Sequence, residues 1–438
     1  MRITMVGTGY VGLVSGACFA EFGPTVTCVD VDAGKVEQLR QGIIPIFEPG
    51  LDALVQRGVG GGRLFFTTDL ESSVAEADVV FIAVGTPSRR GDGHADLRFV
   101  EAAATNVAKA LQGYTVIVTK STVPVGTGRR IRQLIREENP DADFDVASNP
   151  EFLREGSAIE DFLHPDRVVI GAESVRANDV LAELYRPLAL REIPLVVSSL
   201  ETAELTKYAA NAFLATKVAF INEMADLCEK VGADIGGVSK GMGLDRRIGR
   251  TFLNAGPGYG GSCFPKDTVA LLRTAQDAGT PARIVEAVVA ANETRKGAMA
   301  SRVILGCGGS VRGKKIGVLG VSFKPNTDDV RDAPSLAIIP ALQDAGALVQ
   351  AYDPEAMKAA APLLPGVQWC ANAYETAEGA DALVLITEWN EFRALDLNRV
   401  GASMRTKTLI DLRNVYPPAI LDAAGFRHVG IGRLHGLR

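Results

Sequence analysis

The most constraining stretch of the chain is its beginning. The apolar run Arg2–Val6 gives way to Gly7-Thr8-Gly9-Tyr10-Val11-Gly12, and the residues after it repeat apolar side chains at helical spacing. A glycine triplet of this form between a strand and a helix has a defined physical use. Gly7 permits a tight turn, Gly9 lets the backbone approach a pyrophosphate, and Gly12 lets helix and strand pack closely. The phosphates then sit at the positive end of the helix. A second apolar run, Thr25–Asp30, ends in a carboxylate 21 residues after Gly9, where this fold places the acceptor for the ribose hydroxyls. Val31 and Asp32 follow, with no arginine nearby for a 2′-phosphate, so the pattern favours NAD over NADP.

The rest of the first half continues the theme. Val79–Val84, Tyr114–Thr119, Asp145–Ser148 and Val168–Ile170 read as buried strands. Helical patterns such as Val11–Phe22, Asp32–Gln41 and Leu97–Leu111 lie between them, and Gln56–Arg63, rich in glycine, reads as a loop. Such alternation predicts a mostly parallel sheet covered on both faces. Ser199–Val231 then holds helical spacing for some 33 residues, or about 50 Å, which suits a connector or a subunit interface. From Lys315 the alternation returns, with strands at Ile316–Leu319, Leu348–Tyr352, Ala382–Ile386 and Thr408–Ile410 and a helix at Ser335–Asp344. The predicted fold class is α/β, with two doubly wound Rossmann-like domains (1–198 and 310–438) joined by a long central helix and helical connector (199–305). Gly317 and Gly320 alone do not complete a second dinucleotide fingerprint.

Other classes are excluded by composition. A net charge of −6 gives no electrostatic reason to expect nucleic acid. Apolar runs are far too short for a membrane helix, and the N-terminus lacks the pattern of a signal peptide. Six scattered cysteines and four histidines show no metal-ligand spacing, so no metal is expected and the thiols read as those of a cytoplasmic protein.

Five of those cysteines read as packing, and Cys263 does not. It lies in Gly256-Pro-Gly-Tyr-Gly-Gly-Ser-Cys263-Phe-Pro-Lys266-Asp267, with four glycines in six positions and Pro265 opening a helix that stops near Gly279. A helix N-terminus and a neighbouring lysine both favour the thiolate. On the long helix Lys207 and Asn211 are spaced i, i+4 and project from one face. If that face is enclosed, a cation and an amide there can stabilise an alkoxide or tetrahedral oxyanion; the alternative is a solvated stripe. The loop Lys324–Asp332, with two cations before a helix, suits a phosphorylated ligand or an interdomain clamp, and equally a solvated charged loop.

Taken together the segments resemble the UDP-glucose 6-dehydrogenases of the UDP-glucose/GDP-mannose dehydrogenase family, in their bacterial form. The resemblance rests on GTGYVG, IFEPGL (Ile46–Leu51), VGTPS (Val84–Ser88), KSTVPVGT (Lys120–Thr127), SNPEFLREGSAI (Ser148–Ile159), LTKYAANAFLA (Leu205–Ala215), GYGGSCFPKD, FKPNTDDVRDAPS (Phe323–Ser335) and TEW (Thr387–Trp389). It implies two successive oxidations of a sugar CH₂OH to a carboxylate, with two NAD and one water consumed and Cys263 as the covalent nucleophile. It further implies that Lys207 and Asn211 stabilise oxyanions, that Asp267 and a water held by Thr122 move protons, and that Glu151 acts in the late steps. By the same likeness Tyr10, Val11, Lys35, Thr86, Pro87, Glu155, Lys266 and Arg331 lie near NAD. Phe152, Leu153, Arg154, Tyr259 and Gly260 match the UDP-sugar pocket, as do Phe323, Lys324 and Arg413. Arg247 matches a residue that reaches the substrate of a neighbouring subunit, so the expected assembly is a homodimer or a higher oligomer. The expected substrate and product are UDP-glucose and UDP-glucuronate, with GDP-mannose or another nucleotide sugar as the alternative substrate. A two-electron dehydrogenase of the hydroxyacid type would leave Cys263 and the third domain without a role. A non-catalytic NAD-binding protein would not need all six of Thr122, Glu151, Lys207, Asn211, Cys263 and Asp267.

Overall fold

The computed structural model describes residues 1–89 and 91–433; residues 434–438, the end of the third expected domain, lie outside the described residues. The chain divides into two compact units, one of residues 1–210 with 269–280, the other of 211–268 with 281–438.

Among the described residues the first unit is built on an eight-stranded sheet. Its strands are β1 (Arg2–Val6), β2 (Thr25–Val29), β3 (Leu64–Thr67), β4 (Val79–Ile82), β5 (Thr115–Thr119), β6 (Phe144–Ser148), β7 (Val168–Ala172) and β8 (Leu195–Ser198). They are ordered β3-β2-β1-β4-β5-β6-β7-β8, and only β7 runs antiparallel to its neighbour β6. The order reverses between β1 and β4, which opens a crevice at the carboxyl ends of the strands and defines the ligand side of such a sheet. Strands β4 and β5 are buried along their whole length, as β-branched runs covered on both faces must be. On one face the helix Tyr10–Phe22 is buried from Gly12 to Ala20, and its Phe19 packs among Phe81, Phe162 and Tyr185.

The second unit contains a six-stranded parallel sheet of β9 (Lys315–Leu319), β10 (Leu348–Tyr352), β11 (Gln368–Trp369), β12 (Ala382–Leu385), β13 (Thr408–Asp411) and β14 (Arg427–Val429). Its order, β11-β10-β9-β12-β13-β14, repeats the plan of the first six strands of the other unit. The helix Leu200–Val231 begins in the first unit and ends in the second. The helices Phe264–Asp277 and Arg283–Gly306 follow.

One expectation is corrected. Gln56–Arg63 is not a loop throughout, because the helix Leu51–Gly60 runs through its first half. Leu51, Leu54, Val55 and Gly58 recur on one face and are buried, which outweighs the low helix propensity of glycine. Gly58 is the point of closest approach, since a Cβ there would lie 2.9 Å from that of Leu64. Four strands absent from the sequence reading also appear: β3, β8, β11 and β14. No helix among the described residues is long and apolar enough to cross a membrane.

Candidate active site

The glycine turn after β1 is held from within. Gly7 has φ +101°, and a Cβ on Gly12 would lie 2.0 Å from the Gly7 carbonyl oxygen, so neither position accepts a side chain. A Cβ on Gly9, by contrast, meets no protein atom within 4 Å, which leaves this backbone approachable by a ligand. Asp30, just beyond β2, accepts hydrogen bonds from the Thr8 N–H (2.9 Å) and hydroxyl (2.5 Å) and lies 3.2 Å from Lys35 Nζ. Burial raises its carboxyl pKa, but the bonds from Thr8 and Asp32 and the charge of Lys35 outweigh this and hold it below the usual range. Thr86 donates its hydroxyl to the Thr122 carbonyl at 2.9 Å, so the loops after β4 and β5 are tied together at the carboxyl edge of the sheet.

Glu151 lies three residues past β6 and is buried, and its Oε1 lies 3.1 Å from Nζ of Lys207, which is also buried. Its other oxygen accepts the Leu153 N–H at 2.5 Å, which curls the loop 151–155 back on itself. The Lys207 ammonium also lies 5.3 Å from the centre of the Phe152 ring, and the Arg167 guanidinium lies 3.6 Å from the same centre. The face of the long helix that carries Lys207 is thus enclosed, not a solvated stripe. Behind this pair lies a 40 Å³ cavity lined in part by Lys120, Asn149, Glu151, Arg167 and Tyr185. Lys120 Nζ donates to Asn149 Oδ1 (2.9 Å) and to the Tyr185 hydroxyl (3.3 Å). Burial pushes its pKa down to about 7; the Glu151 charge opposes this shift and that of Lys207 adds to it.

In the second unit Asn211, one turn after Lys207 on the same helix, donates Nδ2 to Asp267 Oδ2 at 2.6 Å. Asp267 is fully buried, and its Oδ1 accepts from Lys266 Nζ at 2.6 Å. Lys266 therefore has its ammonium on the carboxylate. Cys263 immediately precedes the helix Phe264–Asp277, and its carbonyl accepts the Asp267 N–H at 2.9 Å. The glycines before it are close approaches. A Cβ on Gly260 would stand 2.3 Å from the Asp332 carbonyl oxygen, and one on Gly261 2.6 Å from the Phe323 ring. Gly261 N–H donates to the Arg331 carbonyl at 2.7 Å, so the cysteine segment lies against the loop after β9. Arg413, just past β13, donates to the Phe323 carbonyl (3.0 Å), and Lys324 stands 5.5 Å from the Phe323 ring centre.

Other residues named from the sequence stand apart. Arg247 is largely exposed and pairs with its neighbour Asp245, and the Arg154 guanidinium pairs with Asp161. Residues that carry no sequence motif hold the cysteine segment. Asn292 accepts the Tyr259 N–H (2.8 Å) and donates to the Tyr259 carbonyl (3.1 Å). Arg295 Nε donates to the Gly256 carbonyl at 2.6 Å, and Asn222 accepts the Gly256 N–H at 2.8 Å. These are polar side chains on ordinary helical stretches, with no local pattern that marks them. Their signal is burial, which only the folded chain reveals.

Comparison with known proteins agrees with this architecture. Residues 1–189 match the NAD binding domain of the UDP-glucose/GDP-mannose dehydrogenase family, 201–294 its central domain, and 317–418 its UDP binding domain. The chain belongs to this family of nucleotide-sugar oxidoreductases. It is 62% identical over 435 residues to the UDP-glucose 6-dehydrogenase of Rhizobium meliloti (strain 1021), covering 99% of this chain and 100% of that one. It is 48% identical to the UDP-glucose 6-dehydrogenase TuaD of Bacillus subtilis (strain 168), covering 99% and 93%. Among solved structures, a UDP-glucose dehydrogenase from Pyrobaculum islandicum superposes with a TM-score of 0.88 at 42% identity, covering 94% of each chain.

The buried lysine gives a signed pH dependence. Between about 7 and the ordinary lysine value of 10.5, the unfolded chain holds a proton on Lys120 that the folded chain lacks, so stability rises with pH across that window. Below it both states are protonated and the burial penalty is felt in full. Denaturant unfolding of the wild type and of Lys120→Met from pH 6.5 to 9.5 should show the wild type gaining on the variant, by at most about 1.4 kcal/mol per pH unit. Parallel curves would contradict the shift.

Proposed function

We propose that the protein is an NAD-dependent UDP-glucose 6-dehydrogenase, which oxidises the sugar CH₂OH of UDP-glucose to the carboxylate of UDP-glucuronate and takes up one water. The observation that carries the reading is Cys263 at the mouth of a helix whose next turn holds the buried Asp267–Asn211 pair. The relatives named above support the substrate. In this reading residues 1–198 hold the cofactor, 199–305 connect and pair subunits, and 310–438 hold the UDP group.

The residues of the first unit fit NAD: the open backbone at Gly9 suits the pyrophosphate, and the acidic Asp30, with Lys35 beside it, suits ribose hydroxyls. Thr86, Pro87, Glu155 and Arg331 are assigned to the same cofactor. Bound NAD supplies the two-electron acceptor for each oxidation, one molecule per step.

The chain's own groups do the rest. In the first oxidation the hydroxyl proton leaves through Asp267 and a water held by Thr122, while Lys207 and Asn211 face the alkoxide. Cys263 Sγ then adds to the aldehyde carbon, forming a C–S bond, and the carbonyl oxygen becomes an oxyanion met by the same ammonium and amide. Oxidation of this thiohemiacetal gives a thioester. Glu151 takes a proton from the water that adds to the thioester carbon, and the C–S bond breaks to return the thiolate. Phe152, Leu153, Arg154 and the segment Tyr259–Gly261 are assigned to the sugar and phosphates, with Phe323, Lys324 and Arg413 beside them in function. The expected place of work is the cytoplasm.

The same reading makes the protein a homodimer, with Arg247 offered to the neighbouring substrate. Phe213, Phe220 and Leu227 support this, because they recur every seven residues on the long helix and are 66%, 43% and 50% exposed. Such a stripe suits a helix partner from a second copy.

Cys263→Ala should abolish UDP-glucuronate formation, and Asn211→Ala should lower kcat about 10²–10³-fold, both read by product chromatography on a panel that includes GDP-mannose. Unchanged turnover of Cys263→Ala would rule out the covalent route. Phe213→Glu with Leu227→Glu should give monomers in sedimentation velocity. An unaltered dimer would remove the stripe from the interface.

A further inference from the structure

Glu48 has no part in the chemistry above, yet it is almost fully buried and holds two segments of the first unit together. Its backbone is fixed by its own sequence. The Leu51 N–H donates to the Glu48 carbonyl at 3.1 Å across Pro49 and Gly50, and Gly50 has φ +81° and ψ 1°. That is a type II turn, with proline and glycine at the positions that favour them.

The carboxylate meets three donors. The Tyr10 hydroxyl donates to Oε2, as does the Gly156 N–H at 2.6 Å, while the Ala158 N–H donates to Oε1 at 2.7 Å. Gly156 N–H also lies 3.1 Å from the Tyr10 oxygen. Gly156 has φ +77°, a conformation that favours glycine, so the loop is shaped to aim this N–H at the carboxylate. Burial, and then the Glu48 carboxylate, push the Tyr10 hydroxyl far above its ordinary pKa, so it remains a donor. The partners come from two places. Tyr10 directly follows Gly9 in the glycine turn, whereas Gly156 closes the loop that begins at Glu151 and Ala158 opens the next helix.

We infer that Glu48 is a positioning residue that couples the cofactor turn to the loop 151–156, so that NAD and the nucleotide sugar each tighten the binding of the other. The inference rests on the assignment of the turn to NAD and of the loop to the sugar. Order imposed on either segment by its ligand reaches the other through one carboxylate, and linkage makes the effect reciprocal. Tyr10→Phe isolates the link, because it keeps the ring and leaves both N–H bonds to Glu48 in place. Glu48→Gln keeps the size of the side chain but can no longer accept on both of its terminal atoms.

The test uses NADH and UDP-glucose, a pair that cannot react because the cofactor is already reduced and the sugar is still an alcohol. NADH fluorescence titrations of the full-length protein, without and with saturating UDP-glucose, give the coupling factor directly. The wild type should show about fivefold or greater tightening. Tyr10→Phe and Glu48→Gln should each bring the factor below about two, whereas a loss of packing alone would weaken both ligands and leave their ratio unchanged. A wild-type factor of one, or variants that keep the wild-type factor, would overturn the coupling alone. A wild type that binds neither ligand would overturn the site assignment beneath it.

Discussion

Lys207 and Glu151 are charged groups almost out of reach of water, held 3.1 Å apart. An isolated charge in that position would be expelled or neutralised, so each requires the other. The pair holds the first turns of the long helix against the loop after β6. Asp267, fully buried, is subject to the same constraint and is met from two sides by Lys266 and Asn211. Removing one member of a buried pair typically costs about 3–5 kcal/mol. The groups assigned to oxyanion stabilisation and proton transfer are therefore also groups the fold depends on.

The two sheets show how far one plan can be reused. Both follow the same strand order, and in both an acid just past the second strand turns back onto the loop after the first. Asp30 takes the Thr8 N–H and hydroxyl; Asp353 takes the Ser322 N–H and hydroxyl. The second copy then departs from the first. Trp389 Nε1 lies 3.2 Å from both Asp353 and the Ser322 hydroxyl, so this turn is filled by its own protein. The third residue of this turn is Ser322, whose hydroxyl donates to Asp353 at 3.0 Å, whereas its counterpart in the first copy is Gly9, where a Cβ would meet no protein atom within 4 Å.

Much of this was legible in the sequence, and the omissions share a cause. The ten interior strands were readable as β-branched runs because burial on both faces demands them. The four that were missed, β3, β8, β11 and β14, are the four edges of the two sheets, where pairing on one side relaxes that demand. Val196 and Val197 in β8 are even exposed. Likewise the glycines of residues 58–62 suggested a loop, although the apolar spacing before them was helical. At the site, Cys263, Lys207 and Asn211 were visible through chemistry and spacing. Glu48, Asn292 and Arg295 were not, since their partners come from segments distant in sequence. Hydrogen bonding of that kind has no local signature.

In the proposed reaction one sugar carbon loses four electrons, the second pair while it is bound to Cys263. The most direct measurement is the ratio of NADH formed to UDP-glucose consumed, with the purified protein, excess NAD and limiting sugar. The expected result is two NADH per UDP-glucose, with UDP-glucuronate as the product. One NADH per UDP-glucose, with the aldehyde released, would contradict it.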